Sequence, residues 1–157
     1  MEKIISEYRM LDIENLLGCA IPSKSQLTLL ETQLEKLLPL APVCHSVVAC
    51  NHLAAQCLFG WQSSGRMILR SGENGADLAL LESEDFEFIA DRYQKVVIGS
   101  GDGIFSHCAN FLVQKGLEVV VVSRSGSLSK TLARVASRVV LLPELYIPTP
   151  VEMELAA

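Results

Sequence analysis

Two unbroken runs of β-branched residues, Val96-Val97-Ile98 and Val119-Val120-Val121-Val122, restrict what this chain can fold into more than any other feature. A strand with one wet face alternates polar and apolar residues. A continuous apolar run must be covered on both faces, as in a parallel sheet sandwiched between helices. Six segments have strand character: 8–13, 44–50, 66–70, 95–99, 118–123 and 138–142. Helical stretches lie between them. Segment 25–38 sets Leu27, Leu30, Leu34, Leu37 and Leu38 at helical spacing and stops at Pro39. Segment 52–59 is short and apolar, and 76–93 carries Leu78, Leu81, Phe86 and Ile89 among acids. Segment 105–115 is closed by Gly116, and 127–137 opens on Ser127, a good helix N-cap. This alternation predicts a three-layer α/β/α domain with a mainly parallel central sheet over residues 1–147. The tail, 148–157, has two prolines and little periodicity. It reads as a flexible strap through which a protein partner or a second copy could be engaged.

Composition bounds the function. At 157 residues, half of them hydrophobic and 20% charged, the chain can bury a real core and is not a disordered segment. No apolar run approaches the roughly 20 residues of a membrane helix, so no membrane role is expected. The opening Met1-Glu2-Lys3-Ile4-Ile5-Ser6-Glu7 does not read as a signal peptide, and cytoplasmic residence is the expectation. The five cysteines, Cys19, Cys44, Cys50, Cys57 and Cys108, form no C-x-x-C pair and read as reduced core residues. A net charge of −5 gives no global attraction to nucleic acid. A polyanionic substrate would need a local basic patch or a bound cation.

In open parallel sheets, ligands sit beyond the carboxyl ends of the strands. The polar residues expected there are Asp12-Ile13-Glu14-Asn15, Ser71-Gly72-Glu73-Asn74-Gly75-Ala76-Asp77, Gly99-Ser100-Gly101-Asp102-Gly103 and Ser123-Arg124-Ser125-Gly126-Ser127. Three separate elements thus carry carboxylates towards one rim. Clustered carboxylates repel unless a cation neutralises them, and hard oxygen ligands suit magnesium or manganese.

Asp12-x-x-Asn15, Gly75-Ala76-Asp77-Leu78-Ala79-Leu80, Ser100-Gly101-Asp102-Gly103-x-Phe105 and the later Gly116-x-x-Val119, Ser123 and Ser127-Leu128-Ser129-x-x-Leu132 together resemble the NYN domain, a branch of the PIN-like ribonucleases. The resemblance runs from about Arg9 to Pro143. It implies a PIN-like fold and metal-dependent cleavage of RNA, single-stranded RNA being the expected substrate. It also implies that Asp12, Asp77 and Asp102 hold Mg2+ or Mn2+ and serve catalysis, while Asn15 positions substrate or a ligand water. Many members have a second aspartate just before the phenylalanine. Here Ile104 stands there, so Glu73 or Glu14 would have to substitute.

Each residue also has a plainer reading. Asp12 could cap loop amides, Asp77 could be a favourable first-turn acid, and the glycines around Asp102 could merely serve a tight turn. Ser100 could bind a ligand or stabilise its turn. Arg124, Ser125, Ser127 and Lys130 surround an expected helix start, where exposed amides favour phosphate, or they are a capped helix with surface charges. His45 and His107 read as packing residues, and His52 as solvent-accessible. Glu82-Ser83-Glu84-Asp85 reads as a solvated helix face. Trp61 and Tyr146 could stack bases or be buried. Three functions follow: a metal-dependent ribonuclease, a catalytically degenerate RNA- or protein-binding module of the same fold, and a nucleotide-binding protein. The last rests on the faint dinucleotide-loop likeness of Gly99-Ser100-Gly101-Asp102-Gly103-Ile104-Phe105.

Overall fold

The computed structural model describes residues 3–19, 21–54, 65–72 and 75–144. Six parallel strands form one sheet: β1 (Ser6–Asp12), β2 (Val43–Cys50), β3 (Arg66–Leu69), β4 (Lys95–Gly99), β5 (Glu118–Arg124) and β6 (Arg138–Leu142). Their order is β3-β2-β1-β4-β5-β6. The chain therefore steps outward from β1 in one direction, then returns to β1's other side. The carboxyl ends of β1 and β4 flank that reversal, where open α/β sheets form their ligand crevice.

Helices cover both faces. On one side are α1 (Ile13–Leu17) and α2 (Lys24–Leu37), which bury Ile13, Leu16, Leu27, Leu30 and Leu34 against Leu11, Val48, Val97, Val120 and Val122. On the other are α3 (Gly75–Ser83), α4 (Phe86–Arg92), α5 (Ser106–Gln114) and α6 (Lys130–Val135). They pack Leu80, Ile89, Leu112 and Leu132 on Met10, Val96, Ile98, Val119 and Val121. Successive residues of β4 and β5 thus enter opposite cores, the physical reason their valine runs are unbroken.

Several boundaries differ from the sequence expectation. The first strand ends at Asp12, because Asp12 caps a helix that the sequence reading lacked: its Oδ1 accepts the Asn15 amide at 3.2 Å. Helix α2 starts earlier, where Ser23 and Gln26 form a capping box, and Leu37 is exposed rather than core. The single helix expected over 76–93 is two helices, since Asp85 caps the second by accepting from the Phe88 amide at 3.1 Å. The acidic stretch there is not uniformly solvated. Glu84 is turned inward, accepts the Tyr8 hydroxyl at 2.7 Å and pairs with Arg66. Segment 105–115 opens with one tight turn at Gly103–Phe105 before α5. As expected, Gly116 (φ +93°) ends α5: Gly116 N–H donates to Val113 O at 2.9 Å and Leu117 N–H to Leu112 O at 3.1 Å. The last helix begins at Lys130 with Ser129 as its cap, so Ser127 is not the helix opener. Of the expected 52–59 helix, a single turn at His52–Ala54 is described. Trp61, Glu73, Tyr146, Cys57 and the 148–157 tail lie outside the described residues.

The opposite end of β1 carries a buried ion cluster. Glu7 and Arg9 are fully or nearly fully buried and paired, and Lys95 Nζ stands 2.9 Å from Glu7 Oε2. Arg9 also donates to Leu38 O at 2.7 Å, tying the end of α2 to the sheet. Among the described residues no helix is long and apolar enough to cross a membrane. Cys50 and Cys108 are buried, Cys19 and Cys44 half-buried, and all four are free thiols.

Candidate functional site

Strand alternation sends Asp12 to the same face as Met10, towards α3, whose first turn carries Asp77. The loop after β4 brings Asp102 to the same place, and α1 adds Glu14 and Asn15. These residues, with Ala76 and Arg124, line a cleft of about 260 Å³ at the carboxyl rim of the sheet. The structure thus brings together Asp12, Asn15, Asp77, Asp102 and Arg124 from the sequence-derived set.

The loop is held by packing and by local hydrogen bonds. A Cβ on Gly101 would lie 2.2 Å from the Ser127 carbonyl oxygen, so no side chain fits there. Gly101 donates its amide to Asn15 Oδ1 at 2.9 Å, and its carbonyl accepts from the Ser129 amide at 2.7 Å. Asn15 therefore positions the Asp102 loop directly. Asp102 Oδ1 accepts from the Ile104 amide at 3.0 Å. Ser100 is fully buried and accepts the Asp102 amide at 3.2 Å, so it stabilises the turn and does not face a ligand. Ser127 and Lys130 do not line the cleft: Ser127 accepts from Arg124, and Lys130 is exposed on a helix whose start is already capped.

The electrostatics are those of like charges forced together. Asp12 is 2% exposed and Asp77 5%. Burial pushes Asp77's carboxyl up to about 10, with Asp12 and then Asp102 adding to the rise. Asp12 is raised as well, chiefly by burial; its hydrogen bond with Asp77 and those from the Asn15 and Glu14 amides oppose the rise, and the Asp102 charge adds to it. Glu14 is raised by burial and by Asp12. Asp77 Oδ1 and Glu14 Oε1 are buried without a hydrogen-bond partner. Two orphaned carboxylate oxygens in one cleft are an unmet demand for positive charge.

The donor set is hard oxygen throughout, which fits Mg2+ or Mn2+. Among the described residues, no three or more His, Cys, Asp or Glu side chains are arranged so that, as they stand, they could hold a metal ion.

Glu14 is the cleft residue that the sequence reading left as a substitute only. Its signal was the pairing of Asp12 with Gly18, an N-cap and a left-handed C-cap bracketing five residues. Ile104, where the resemblance to the NYN domain leads one to expect a second acid, does not face the cleft. It is 38% exposed and lines a separate apolar groove with Leu81, Phe86 and Phe111. The histidines are elsewhere, and none is core: His45 is exposed and bonds the Tyr93 hydroxyl at 2.8 Å, His52 is exposed and bonds Ser71 Oγ at 2.7 Å, and His107 is exposed.

No protein-family model matches the chain, and no curated protein matches it. Among solved structures it is similar to a crystal structure of a protein of unknown function from Vibrio parahaemolyticus, with a TM-score of 0.66 and 16% identity over 92% of this chain and 97% of that one. The likeness extends across nearly the whole of both chains, and what it establishes is the fold: a three-layer α/β/α domain around a parallel sheet.

Proposed function

We propose that the chain is a metal-dependent ribonuclease of the NYN/PIN-like type, hydrolysing phosphodiester bonds of single-stranded RNA with Mg2+ or Mn2+ held at the carboxyl rim of the sheet. One observation carries this reading: Asp12, Asp77, Asp102 and Glu14 converge from four segments on one cleft, with Asp77 Oδ1 buried and unpartnered. Asp12, Asp77 and Asp102 would hold the cation. When bound, it supplies charge stabilisation at the scissile phosphate and makes water more acidic. Asn15 fixes the loop that carries Asp102. Glu14, whose Oε1 has no hydrogen-bond partner and whose pKa is raised by burial and by Asp12, would be the group that accepts a proton from the attacking water.

A second reading, a binding module of the same fold without cleavage, is favoured by the acid set of the cleft, which is limited to Asp12, Glu14, Asp77 and Asp102 and gains nothing from position 104, whose side chain lines another groove. The dinucleotide-loop reading gains no support. That loop follows β4 rather than β1, and Gly101 is packed against Ser127 instead of leaving room for a pyrophosphate.

The test is Mn2+-dependent cleavage of single-stranded RNA by wild type and Asp102→Asn. Asparagine keeps the cap on Ile104, so the fold is retained while a charge is lost. A hundred-fold or greater drop is expected. Equal cleavage by the two proteins, or cleavage in excess chelator, refutes the mechanism. A folded wild type that binds RNA without cutting it selects the second reading.

A further inference from the structure

Arg124 is a cation set in an acidic cleft, yet it pairs with no carboxylate among the described residues. Its Nε donates to Asn15 O at 3.1 Å and an Nη2 hydrogen to Ser127 Oγ at 2.7 Å. The guanidinium lies against Gly18, where a Cβ would come within 2.6 Å of it. Gly18 has φ +67°, so its left-handed backbone and the space for the guanidinium are met by the same glycine. Two donors fix the fork, and the rest remain for a ligand. Arginine held this way is suited to bidentate recognition of phosphate.

Arg124 also lines a second cavity, about 250 Å³, on the other side of α1. Its walls are Leu16, Leu17, Leu142 and Pro143, and Gln26 and Glu144 supply its polar groups. Gln26 Oε1 accepts the Ser23 amide at 2.8 Å, which leaves the Gln26 amide hydrogens as donors beside the Glu144 acceptor. Apolar walls with one donor and one acceptor suit the face and edge of a nucleobase. A carboxylate-lined cleft, an unpaired arginine and this cavity thus lie in sequence around a single short helix.

We propose that Arg124 is the phosphate-binding residue of the cleft and that it places the nucleoside of the bound phosphate in the second cavity. This rests on the phosphodiesterase reading and names the subsite that would orient its substrate.

The experiment is calorimetric titration of the full chain in Mn2+ with inorganic phosphate and with nucleoside 5′-monophosphates. The proteins are wild type, Arg124→Gln, Arg124→Lys and Leu17→Trp, the last to fill the second cavity. In wild type the monophosphates are expected to bind at least ten-fold tighter than phosphate. Arg124→Gln should weaken both ligands at least ten-fold without changing Mn2+ affinity, and Arg124→Lys should recover only part of the loss. Leu17→Trp should erase the advantage of nucleotide over phosphate and leave phosphate binding in place. Melting curves establish that each variant is folded, and a collapsed Leu17→Trp is replaced by Leu17→Phe. Unchanged affinity in Arg124→Gln overturns the role of Arg124. Nucleotide binding no tighter than phosphate, or insensitive to filling the cavity, overturns the nucleoside subsite. A wild type that takes up no Mn2+ refutes the metal reading instead. The same titrations without metal then decide the Arg124 proposal on their own.

Discussion

Replacing Asp77 with asparagine is expected to stabilise the metal-free protein, by an amount that depends on pH in a definite direction. The Asp77 carboxyl is pushed from its ordinary 3.8 up to about 10, by burial first and then by Asp12 and Asp102. In the unfolded chain it ionises near the ordinary value. As pH rises above that, the unfolded state sheds a proton that the folded state keeps, and folding stability falls by up to about 1.4 kcal/mol per pH unit. The cost is absent below the unfolded pKa and grows through the neutral range. At pH 7 it is capped at about 4 kcal/mol by that slope, and relaxation with water entry in an open cleft lowers it to roughly 1–3 kcal/mol. Asparagine occupies the same volume and cannot ionise, so it escapes the cost. For a chain of this size the melting temperature of Asp77→Asn should exceed wild type by about 3–10 °C at pH 7, and the difference should vanish near pH 4. The assay is thermal unfolding from pH 4 to 8 in chelator, repeated in millimolar Mn2+. In Mn2+ the order should narrow or reverse, because the cation stabilises only a protein that retains its ligand. A variant that melts below wild type at pH 7, or a difference that does not change with pH, refutes the account of Asp77 as an acid kept protonated by burial and by its acidic neighbours.

Glu7→Gln should cost about 3–5 kcal/mol, since it leaves Arg9 and Lys95 buried without their counter-charge. Burial opposes the Glu7 charge, but Arg9 and Lys95 outweigh it and hold the carboxyl below 4.5. Its stabilisation is therefore present above the ordinary value and lost as pH falls through the folded one, so denaturation curves of wild type and variant should converge in acid. Gly18→Ala should cost about 1–2 kcal/mol from the left-handed backbone and displace the Arg124 guanidinium. Phosphate affinity should then fall while Mn2+ affinity holds, and loss of both would place Arg124 among the metal-site supports instead. Ile104→Asp should change stability by no more than about 1 kcal/mol, because the side chain is part-exposed, and should leave Mn2+ affinity unaltered. Tighter Mn2+ binding in that variant would show that residue 104 reaches the cleft after all.

The layers and strands were legible because burial on two faces leaves an uninterrupted valine signature, and five of the six strands were placed to within a residue at each end. Helix subdivision was harder. A capping acid looks like any other acid in sequence, so nothing in the sequence sets Asp85 apart from a solvated face or Asp12 from a strand end. Asp12, Asp77 and Asp102 could be grouped from their positions after successive strands, since topology alone sends those ends to one rim. Ser100 and Lys130 show the limit of that logic. Being near the rim in sequence does not decide where a side chain points, and Ser100 is buried beneath the loop while Lys130 is turned to solvent. Ile104 fails for the same reason: two residues past Asp102 it lies within a tight turn that aims its side chain at the next groove.

The two ends of β1 supply an internal comparison that bears on what the rim is for. Each end buries a carboxylate, Glu7 at one and Asp12 at the other. At the first, the fold brings Arg9 and Lys95 against the acid, and its pKa is lowered in spite of full burial. The same strands can therefore deliver cations to a buried acid where a structural charge is wanted. At the second end no cation meets the acid, and its pKa is raised by burial, with the Asp102 charge adding, although Asp77 shares a hydrogen bond with it. Arg124 is close enough to line the same cleft, but its donors go to the Asn15 carbonyl and the Ser127 hydroxyl rather than to any carboxylate. A rim acid cluster kept only for stability would gain several kcal/mol of relief from the pairing that Glu7 enjoys. Leaving it unpaired costs stability in the empty protein, and such a cost is characteristic of sites completed by a ligand. A proton held by Asp77 relieves part of the repulsion in the metal-free protein, and a cation from outside the chain is proposed to replace it, so chelation and Mn2+ addition are the perturbations that separate a functional cleft from an accidental one.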